Sequence, residues 1–247
     1  MKRLLITLMF LCPAAQSGQM SRTMPGLVGL WHFEEMTGTV VNDALAVYNG
    51  TTSAAWVSGK IGGAVQASGS NGTTIPYNAA FAPANITVGA WIKSTNYSST
   101  SAPCSRVIGR PSAFTQTSPY QVWGLDIYCN GTGSIQPIFQ YSFSSGSYIY
   151  ASGTKYLKAL NWTFLVGTYD GAAARIYENG VLTGTATGAG SVYPATTSLF
   201  FALEPTNSGS NFKGLIDEAF IFNRALSAAE IKNIYLLSMP AHVIYER

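Results

Sequence analysis

Short apolar runs separated by turn residues dominate this chain, and that cadence restricts what it can fold into. From Gly26 to about Phe222 the runs recur roughly every 8–15 residues, with Gly, Asn or Ser between them. The clearest unit joins residues 174–178 to 181–183 through Asn179-Gly180. Asn-Gly between alternating runs indicates a two-residue hairpin, because both turn residues need positive φ. The pattern predicts an antiparallel sandwich rather than βαβ units.

Further strands are predicted at residues 27–33, 86–92, 122–128, 137–141, 147–150 and 164–169, which are rich in aromatic and β-branched residues. One helix is predicted near the C-terminus. Ser227 and Glu230 form a capping box, and Leu226 and Ile231 occupy the positions of a hydrophobic staple. The helix is expected to run to about Leu237, before Pro240.

The N-terminus has the pattern of a secretory signal. Lys2 and Arg3 precede an apolar stretch at residues 4–11, Pro13 breaks it, and residues 15–17 are a small-x-small cleavage signal. The stretch is far shorter than the ~20 residues of a spanning helix, and no later stretch is apolar enough to span a bilayer. We therefore predict a cleaved signal at 1–17 and a secreted or cell-surface protein, with an uncleaved anchor as the alternative.

Composition argues against a nucleic-acid partner. The formal net charge is +3, and only 10% of residues are charged. Removal of Lys2 and Arg3 with the signal leaves 12 basic residues against 11 acidic ones, a charge of +1, from the 14 and 11 of the whole chain. Such a balance does not favour nucleic acid or an anionic membrane surface.

Two cysteines remain after cleavage, Cys104 and Cys129. A single pair in an exported chain suggests a disulfide. Such a bridge would close a loop of about 26 residues and contribute roughly 3 kcal/mol. Two unrelated buried thiols are the alternative.

Several motifs, in order, resemble the laminin-G-like jelly-roll domains of the concanavalin A-like lectin/glucanase superfamily. They are residues 26–35, 38–43, 49–51 and 57–65, the Trp91 strand, residues 162–171, the 177–181 hairpin, and residues 212–218 through 223–227. The resemblance implies an all-β fold, a two-sheet antiparallel jelly-roll sandwich with one short C-terminal helix. It places a linker at 18–25, the domain at 26–237 and a tail at 238–247.

No catalytic residue is predicted. A glycanase on this fold needs paired carboxylates on one strand face, and no predicted strand has them at a suitable spacing. Glu34-Glu35 and Asp217-Glu218 are adjacent, so regular alternation would point each pair to opposite faces. His32 and His242 neighbour no nucleophile motif.

The resemblance also implies one structural calcium, held between an early Asp-rich loop and the Ile-Asp-Glu strand. The matching positions are Asp43 and Asp217. The polar stretch that usually follows the first Asp reads Ala-Leu-Ala-Val at 44–47. The alternative is that Asp43 organises a turn and Asp217 binds backbone amides or Arg224.

Aromatic residues are the main candidates for ligand binding. Sugar rings stack on Tyr and Trp faces, while amides and hydroxyls bind the sugar hydroxyls. Between Tyr97 and Tyr150, we expect Tyr141, Tyr148 and Tyr150 to be exposed, with Gln140 beside them.

These features favour a non-catalytic binding or adhesion module for glycans or another extracellular surface. One alternative is a self-associating structural subunit of a surface layer, filament or virion, which the charge-poor sequence also fits. A glycan-cleaving enzyme is the third hypothesis. The fold alone does not decide among them, because it hosts many functions.

Overall fold

The computed structural model describes residues 19–95, 105–113, 118–129, 135–153, 157–158 and 160–239. These residues form sixteen strands and one α-helix. The strands are β1 (Leu27–Trp31), β2 (Val40–Val41), β3 (Gly50–Thr52), β4 (Ala55–Ser58), β5 (Gly63–Ser68), β6 (Thr73–Ile75), β7 (Ile86–Ser94), β8 (Ser105–Pro111), β9 (Gln121–Cys129), β10 (Ile135–Ser142), β11 (Tyr148–Ser152), β12 (Thr163–Tyr169), β13 (Ala173–Glu178), β14 (Val181–Thr187), β15 (Leu199–Phe201) and β16 (Lys213–Phe222). The helix is α1 (Ala228–Leu237), and single 3-10 turns lie at Ala79–Phe81 and Ser208–Ser210.

The strands form two antiparallel sheets of eight strands each. The first sheet has the order β14-β13-β12-β7-β16-β5-β4, with β1 also paired to β16. The second sheet has the order β11-β10-β9-β8-β15-β6-β3-β2. Strands distant in sequence are neighbours in both sheets, as in a jelly roll. The predicted fold class, an antiparallel two-sheet sandwich with one helix, is confirmed.

The main core lies between the two sheets and consists of the inward side chains of both. Trp31 of β1, Trp123 of β9 and Phe139 of β10 are fully buried within it. Trp123 also donates through Nε1 to the carbonyl of Phe81, at 2.6 Å. Period-2 alternation places these residues inward and their neighbours outward. The core therefore determines which side chains of the second sheet face away from the first sheet, a surface we call the outer face.

A second, smaller core lies on the other side of the first sheet, beneath α1. Trp91 and Phe164 of the sheet pack there with Leu226, Ile231 and Ile234. The predicted staple residues Leu226 and Ile231 are both buried. The molecule thus has three layers, with α1 on the first sheet and the first sheet on the second.

The local predictions for the hairpin and the helix are confirmed. Asn179 and Gly180 have φ of 52° and 77°, and they connect β13 to β14. Ser227 Oγ accepts the amide of Glu230, and Glu230 Oε2 accepts the amide of Ser227. The first strand ends earlier than predicted, at Trp31, because Phe33 has a left-handed φ of 57° that interrupts extended backbone.

In the part of the chain that the structure describes, no helix has the length and apolar character needed to cross a membrane.

Replacing Ser227 with alanine removes the cap of α1. We expect the free energy of unfolding to fall by about 1 kcal/mol, because the amide of Glu230 loses its acceptor. Urea denaturation of both proteins measures the difference. Ser191→Ala, at an exposed position outside the helices and strands, is the matched control and should change stability by less than about 0.5 kcal/mol. Equal losses in the two variants would contradict a capping role.

Candidate functional site

Tyr148 and Tyr150 form an exposed aromatic pair on β11, the edge strand of the second sheet. Their exposed fractions are 41% and 54%. The ring centroids are 6.4 Å apart, and the ring planes differ by 29°. Since the residues are two apart on one strand, they share the outer face. The expectation that both are exposed is confirmed.

Polar side chains stand next to this pair on the adjacent strand β10. Gln140 is in register with Tyr150, and Ser142 with Tyr148. Gln140 Nε2 donates to Ser142 Oγ at 3.2 Å. Residues directly opposite in an antiparallel pair share a face and lie close together. The structure therefore brings the predicted residues Gln140, Tyr148 and Tyr150 together.

The expectation that Tyr141 is exposed is wrong, because it belongs to the core. Its exposed fraction is 0%. The ring stacks on Tyr169 with centroids 3.9 Å apart, and its hydroxyl lies 3.3 Å from the carbonyl oxygens of Pro83 and Ala84. Tyr141 lies between Gln140 and Ser142 on β10, so alternation turns it inward when those two face outward. Burial raises the pKa of Tyr141 above its ordinary value.

A single row of register partners crosses the whole outer face. From β11 to β2, it consists of Tyr150, Gln140, Gly124, Gly109, Phe200, Thr74, Thr51 and Val40. The two glycines in its centre leave bare backbone, and neighbouring side chains cover it. A Cβ on Gly109 would lie 2.5 Å from Arg106 Cδ, and one on Gly124 would lie 2.1 Å from Gln121 Oε1.

Arg106 is the centre of a buried polar network on this face. It donates through Nε to Asp126 at 2.8 Å, and its Nη2 lies 2.7 Å from Glu204 Oε2. Gln121 Nε2 donates to the other oxygen of Asp126 at 2.8 Å. Burial raises the pKa of Asp126, and the Arg106 charge opposes that rise. One guanidinium thus holds two carboxylates that arise from distant segments.

Two atoms of this network have no hydrogen-bond partner in the part of the chain that the structure describes. They are Arg106 Nη1, a donor, and Gln121 Oε1, an acceptor. Both residues are at least 95% buried, since their exposed fractions are 5% and 2%. Buried polar groups are nearly always paired, so these two atoms stand out from the rest of the network.

Sequence reasoning missed Arg106, Asp126, Gln121 and Glu204 as parts of this face. A signal was present in the charged side chains of Arg106 and Asp126 within otherwise apolar strands and in the mid-strand glycines at 109 and 124. Glu204 lies outside the strands. Nothing local in the sequence indicates that it meets Arg106, because 98 positions separate them.

The prediction that Asp217 and Glu218 point to opposite faces is wrong. The register of β16 shifts between Asp217 and Phe220, and Glu218 has φ of 49°. Ile216 and Ala219 both face the main core, so the two acids together fill one outward position. This is the geometry of a β-bulge. Glu218 Oε1 lies 2.7 Å from His32 Nδ1, on the helix side of the first sheet.

The two predicted calcium ligands do not fit a shared ion. Asp43 Oδ1 accepts the amides of Leu30 and Leu45, and Oδ2 accepts those of Val47 and Tyr48. Four amide donors occupy the four lone-pair positions of this carboxylate, which leaves none for a metal. In the described ranges, no group of three or more His, Cys, Asp or Glu side chains is arranged to hold a metal ion.

Asp217 instead fastens the loop after β4. Its Oδ2 accepts the amides of Lys60 and Ile61 at 2.8 and 2.9 Å. Both aspartates therefore accept backbone amides, and Asp217 Oδ1 is buried with no hydrogen-bond partner among the described residues. Burial raises the pKa of Asp217 to about 8, and the neighbouring Glu218 adds to the rise. The hydrogen bonds that the backbone amides of Lys60 and Ile61 donate to Asp217 oppose this rise.

The predicted disulfide cannot be compared with the structure. Cys104 lies outside the described residues, as does the side chain of Cys129. The predicted signal at 1–17 and His242 are also outside them.

A cavity of about 250 Å³ lies in the other layer of the molecule, under α1. Trp91, Phe164, Phe220 and Ile234 form its apolar wall, and Glu218 is its buried acid. A second cavity of about 380 Å³ lies beside Glu34 and Glu35. Neither cavity is lined by residues of the second sheet, so neither is part of the outer face with the tyrosine pair.

The comparison with known families agrees with this architecture. A laminin-G sequence profile described as "Concanavalin A-like lectin/glucanases superfamily" matches residues 67–232, more than half of the chain. The chain belongs to this superfamily. No curated protein sequence matches the chain.

Solved structures share the fold at low identity. Domain 4 of AbnA, a GH43 extracellular arabinanase from Geobacillus stearothermophilus in complex with arabinotriose, has a TM-score of 0.63 and 20% identity, with 85% of this chain and 98% of that chain covered. The binding domain of Paraclostridial Mosquitocidal Protein 1 has a TM-score of 0.67 and 14% identity, with 85% and 52% covered. The binding domain of botulinum neurotoxin DC in complex with SialylT has a TM-score of 0.62 and 15% identity, with 87% of this chain and 52% of that chain covered. The chain spans about half the length of these two toxin binding domains, and at these identities the likeness shows the fold alone.

The raised pKa of Asp217 predicts a stability that falls as pH rises. Below pH 4 the carboxyl is protonated in both the folded and the unfolded chain. Between pH 4 and about 8 the unfolded chain loses this proton while the folded chain retains it, so the free energy of unfolding decreases. Each unit of pKa difference corresponds to about 1.4 kcal/mol, which makes the expected loss several kcal/mol.

Asp217→Asn should abolish this dependence, because the amide does not titrate. We expect the difference in unfolding free energy between the native protein and Asp217→Asn to decrease from pH 4 to pH 8. Above pH 9 it should be constant, which is the internal control. Denaturation curves at each pH measure it, and parallel pH profiles of the two proteins would contradict the prediction.

Chelation should leave the protein's stability unchanged, because the amides of Leu30, Leu45, Val47 and Tyr48 already occupy the carboxylate of Asp43. Thermal unfolding with added calcium and with excess EDTA measures this. A melting temperature that rises with calcium concentration would show that an ion binds the folded state, and would contradict this assignment of Asp43.

Proposed function

We propose that this chain is a non-catalytic extracellular binding module and that the outer face of its second sheet binds a glycan. The observation that carries the proposal is the exposed, near-parallel pair of Tyr148 and Tyr150 on the edge strand β11. Their phenol hydroxyls place hydrogen-bonding groups on the same surface as the rings.

This combination suits sugars because a sugar has two kinds of surface. Its C–H faces pack against aromatic rings, and its hydroxyls both donate and accept hydrogen bonds. Tyr148 and Tyr150 supply the rings together with their own hydroxyls. Gln140, which is 9% exposed, adds an amide within one strand spacing, about 4.8 Å, whereas Ser142 is fully buried and accepts a hydrogen bond from Gln140.

The comparisons support this class of function. One solved structure with the same fold is a domain of an extracellular arabinanase in complex with arabinotriose, and another is a toxin binding domain in complex with SialylT. The description of the superfamily to which the chain belongs names both lectins and glucanases. The likeness favours carbohydrate as the ligand class, and the tyrosine pair supplies a place for it.

Binding without cleavage is part of the proposal. Cleavage requires two carboxyl groups that reach one glycosidic bond. Asp126 and Glu204 are the two carboxylates at the outer face, and both are at least 95% buried and bound to Arg106. A carboxylate held by a guanidinium and shielded from solvent is suited to holding segments together rather than to proton transfer at a substrate.

Removing the tyrosine rings tests the proposal. We expect a glycan array to show specific binding by the native protein. Tyr148→Ala and Tyr150→Ala should each weaken the best hit by about tenfold or more, corresponding to about 1.4 kcal/mol. Tyr148→Phe and Tyr150→Phe should retain most of the affinity, because they keep the ring. Titration calorimetry with the soluble oligosaccharide measures the affinities.

Tyr77→Ala is the matched control. Tyr77 is 43% exposed and follows β6, which is four strands away from β10 in the strand order of the second sheet. It should leave the affinity unchanged. Folded protein that binds no glycan, or binding that is equally strong in Tyr148→Ala and Tyr150→Ala, would contradict the proposal. Released oligosaccharide after incubation with the best ligand would contradict its non-catalytic part.

A further inference from the structure

The charges of the outer face constrain which glycans it accepts, an inference that rests on the proposed function. The described strands of the second sheet contain two cationic side chains, Arg106 and Arg110. An anionic sugar needs a cation that is accessible and not already neutralised. The state of these two arginines therefore decides whether the described strands themselves supply such a cation.

Arg106 is already neutralised. Its Nε and Nη2 contact Asp126 and Glu204 at 2.8 and 2.7 Å, so two carboxylates surround one guanidinium. Two of the three nitrogens that could bind a sugar carboxylate or sulfate are thus occupied, and the third, Nη1, is buried away from solvent. An approaching anion would also meet the repulsion of Asp126 and Glu204, which is strong where water is excluded.

Arg110 is not available on this face either. It is in register with Trp123, an inward core residue, and it is fully buried. Its Nε and Nη2 donate to the carbonyls of Thr197 and Ala195. Burial lowers the pKa of Arg110 to about 10, so the guanidinium remains protonated at neutral pH. Its charge lies among backbone oxygens.

Apart from Arg106 Nη1, which is buried and unpaired, the remaining hydrogen-bonding groups that the described strands place on the face are neutral. Gln140, Tyr148 and Tyr150 offer amide and hydroxyl groups along β10 and β11. A sugar hydroxyl can donate to an amide or phenol oxygen, whereas a carboxylate or sulfate group has only acceptors to offer.

We propose that the outer face selects neutral oligosaccharides and discriminates against sialylated, uronic-acid and sulfated ones, because the only guanidinium placed on it by the described strands is already held by Asp126 and Glu204. Selectivity of this kind arises from groups that oppose the wrong ligand as well as from contacts with the right one. Solved structures with this fold include one bound to arabinotriose and one bound to SialylT, so the fold does not settle the preference.

The experiment compares each neutral oligosaccharide on an array with its sialylated, uronic-acid or sulfated counterpart, followed by titration of the best pair. We expect the acidic form to bind about tenfold more weakly or worse. Binding of the neutral form should be the same at low and high NaCl, because no charge pair contributes that salt would screen.

A lysine introduced beside the tyrosine pair should reverse the discrimination against acidic oligosaccharides. Ser152 lies on the outer face two residues from Tyr150, and we expect Ser152→Lys to improve binding of the acidic ligand, with a salt dependence that the native protein lacks. Ser58→Lys adds the same charge at an exposed position of β4 in the first sheet and is the matched control. It should change neither the affinity for the acidic ligand nor its salt dependence.

The outcomes separate this inference from the proposed function. Equal or tighter, salt-sensitive binding of the acidic ligand by the native protein would overturn the neutral preference and leave glycan binding intact. Absence of binding to any oligosaccharide by folded protein would overturn both. Because the native protein alone decides these two outcomes, the test remains valid if Ser152→Lys does not fold.

Discussion

Burial of one face of each sheet against the other is the constraint on which the rest of this structure depends. Side chains alternate along a strand, so fixing Trp123, Phe139 and Tyr141 inward also fixes Gly124, Gln140 and Ser142 outward. A shift of one residue in the register of β10 would move its core side chains to the outer face and its outer side chains into the core. The tyrosine pair on β11 is thus presented to solvent by the same packing that buries the ring of Tyr141 against Tyr169.

Polar groups inside the molecule are used mainly to hold segments together. Asp43 organises a turn through four amides, Asp217 fastens the loop after β4, and Arg106 links β8 and β9 to the segment at Glu204. Such paired groups contribute less net stability than the apolar core, but removing one partner leaves the other buried and unpaired. The same pairing underlies the proposed preference for neutral ligands, because Asp126 and Glu204 hold the guanidinium of Arg106.

Function follows from where these layers place exposed and paired groups. The first sheet is covered by α1 and supports an apolar cavity, whereas the second sheet presents a row of small, polar and aromatic residues across its strands. The absence of a side chain at Gly109 and Gly124 lets Arg106 and Gln121 lie directly over the backbone between Gln140 and Phe200. The proposed glycan site lies at the β11 edge of this sheet, where Tyr148 and Tyr150 are exposed.

The sequence by itself determined the local elements, because their signals lie within a few residues: the Asn179-Gly180 hairpin, the Ser227–Glu230 cap and the alternating strands that mark a sandwich. It also indicated Tyr148, Tyr150 and Gln140. Only the tertiary structure decided that Tyr141 is buried, that a bulge turns Asp217 and Glu218 to the same side, and that Arg106 meets Glu204. Register, bulges and contacts between distant segments depend on the packing of the two sheets, and that packing is not encoded in any single stretch of the chain.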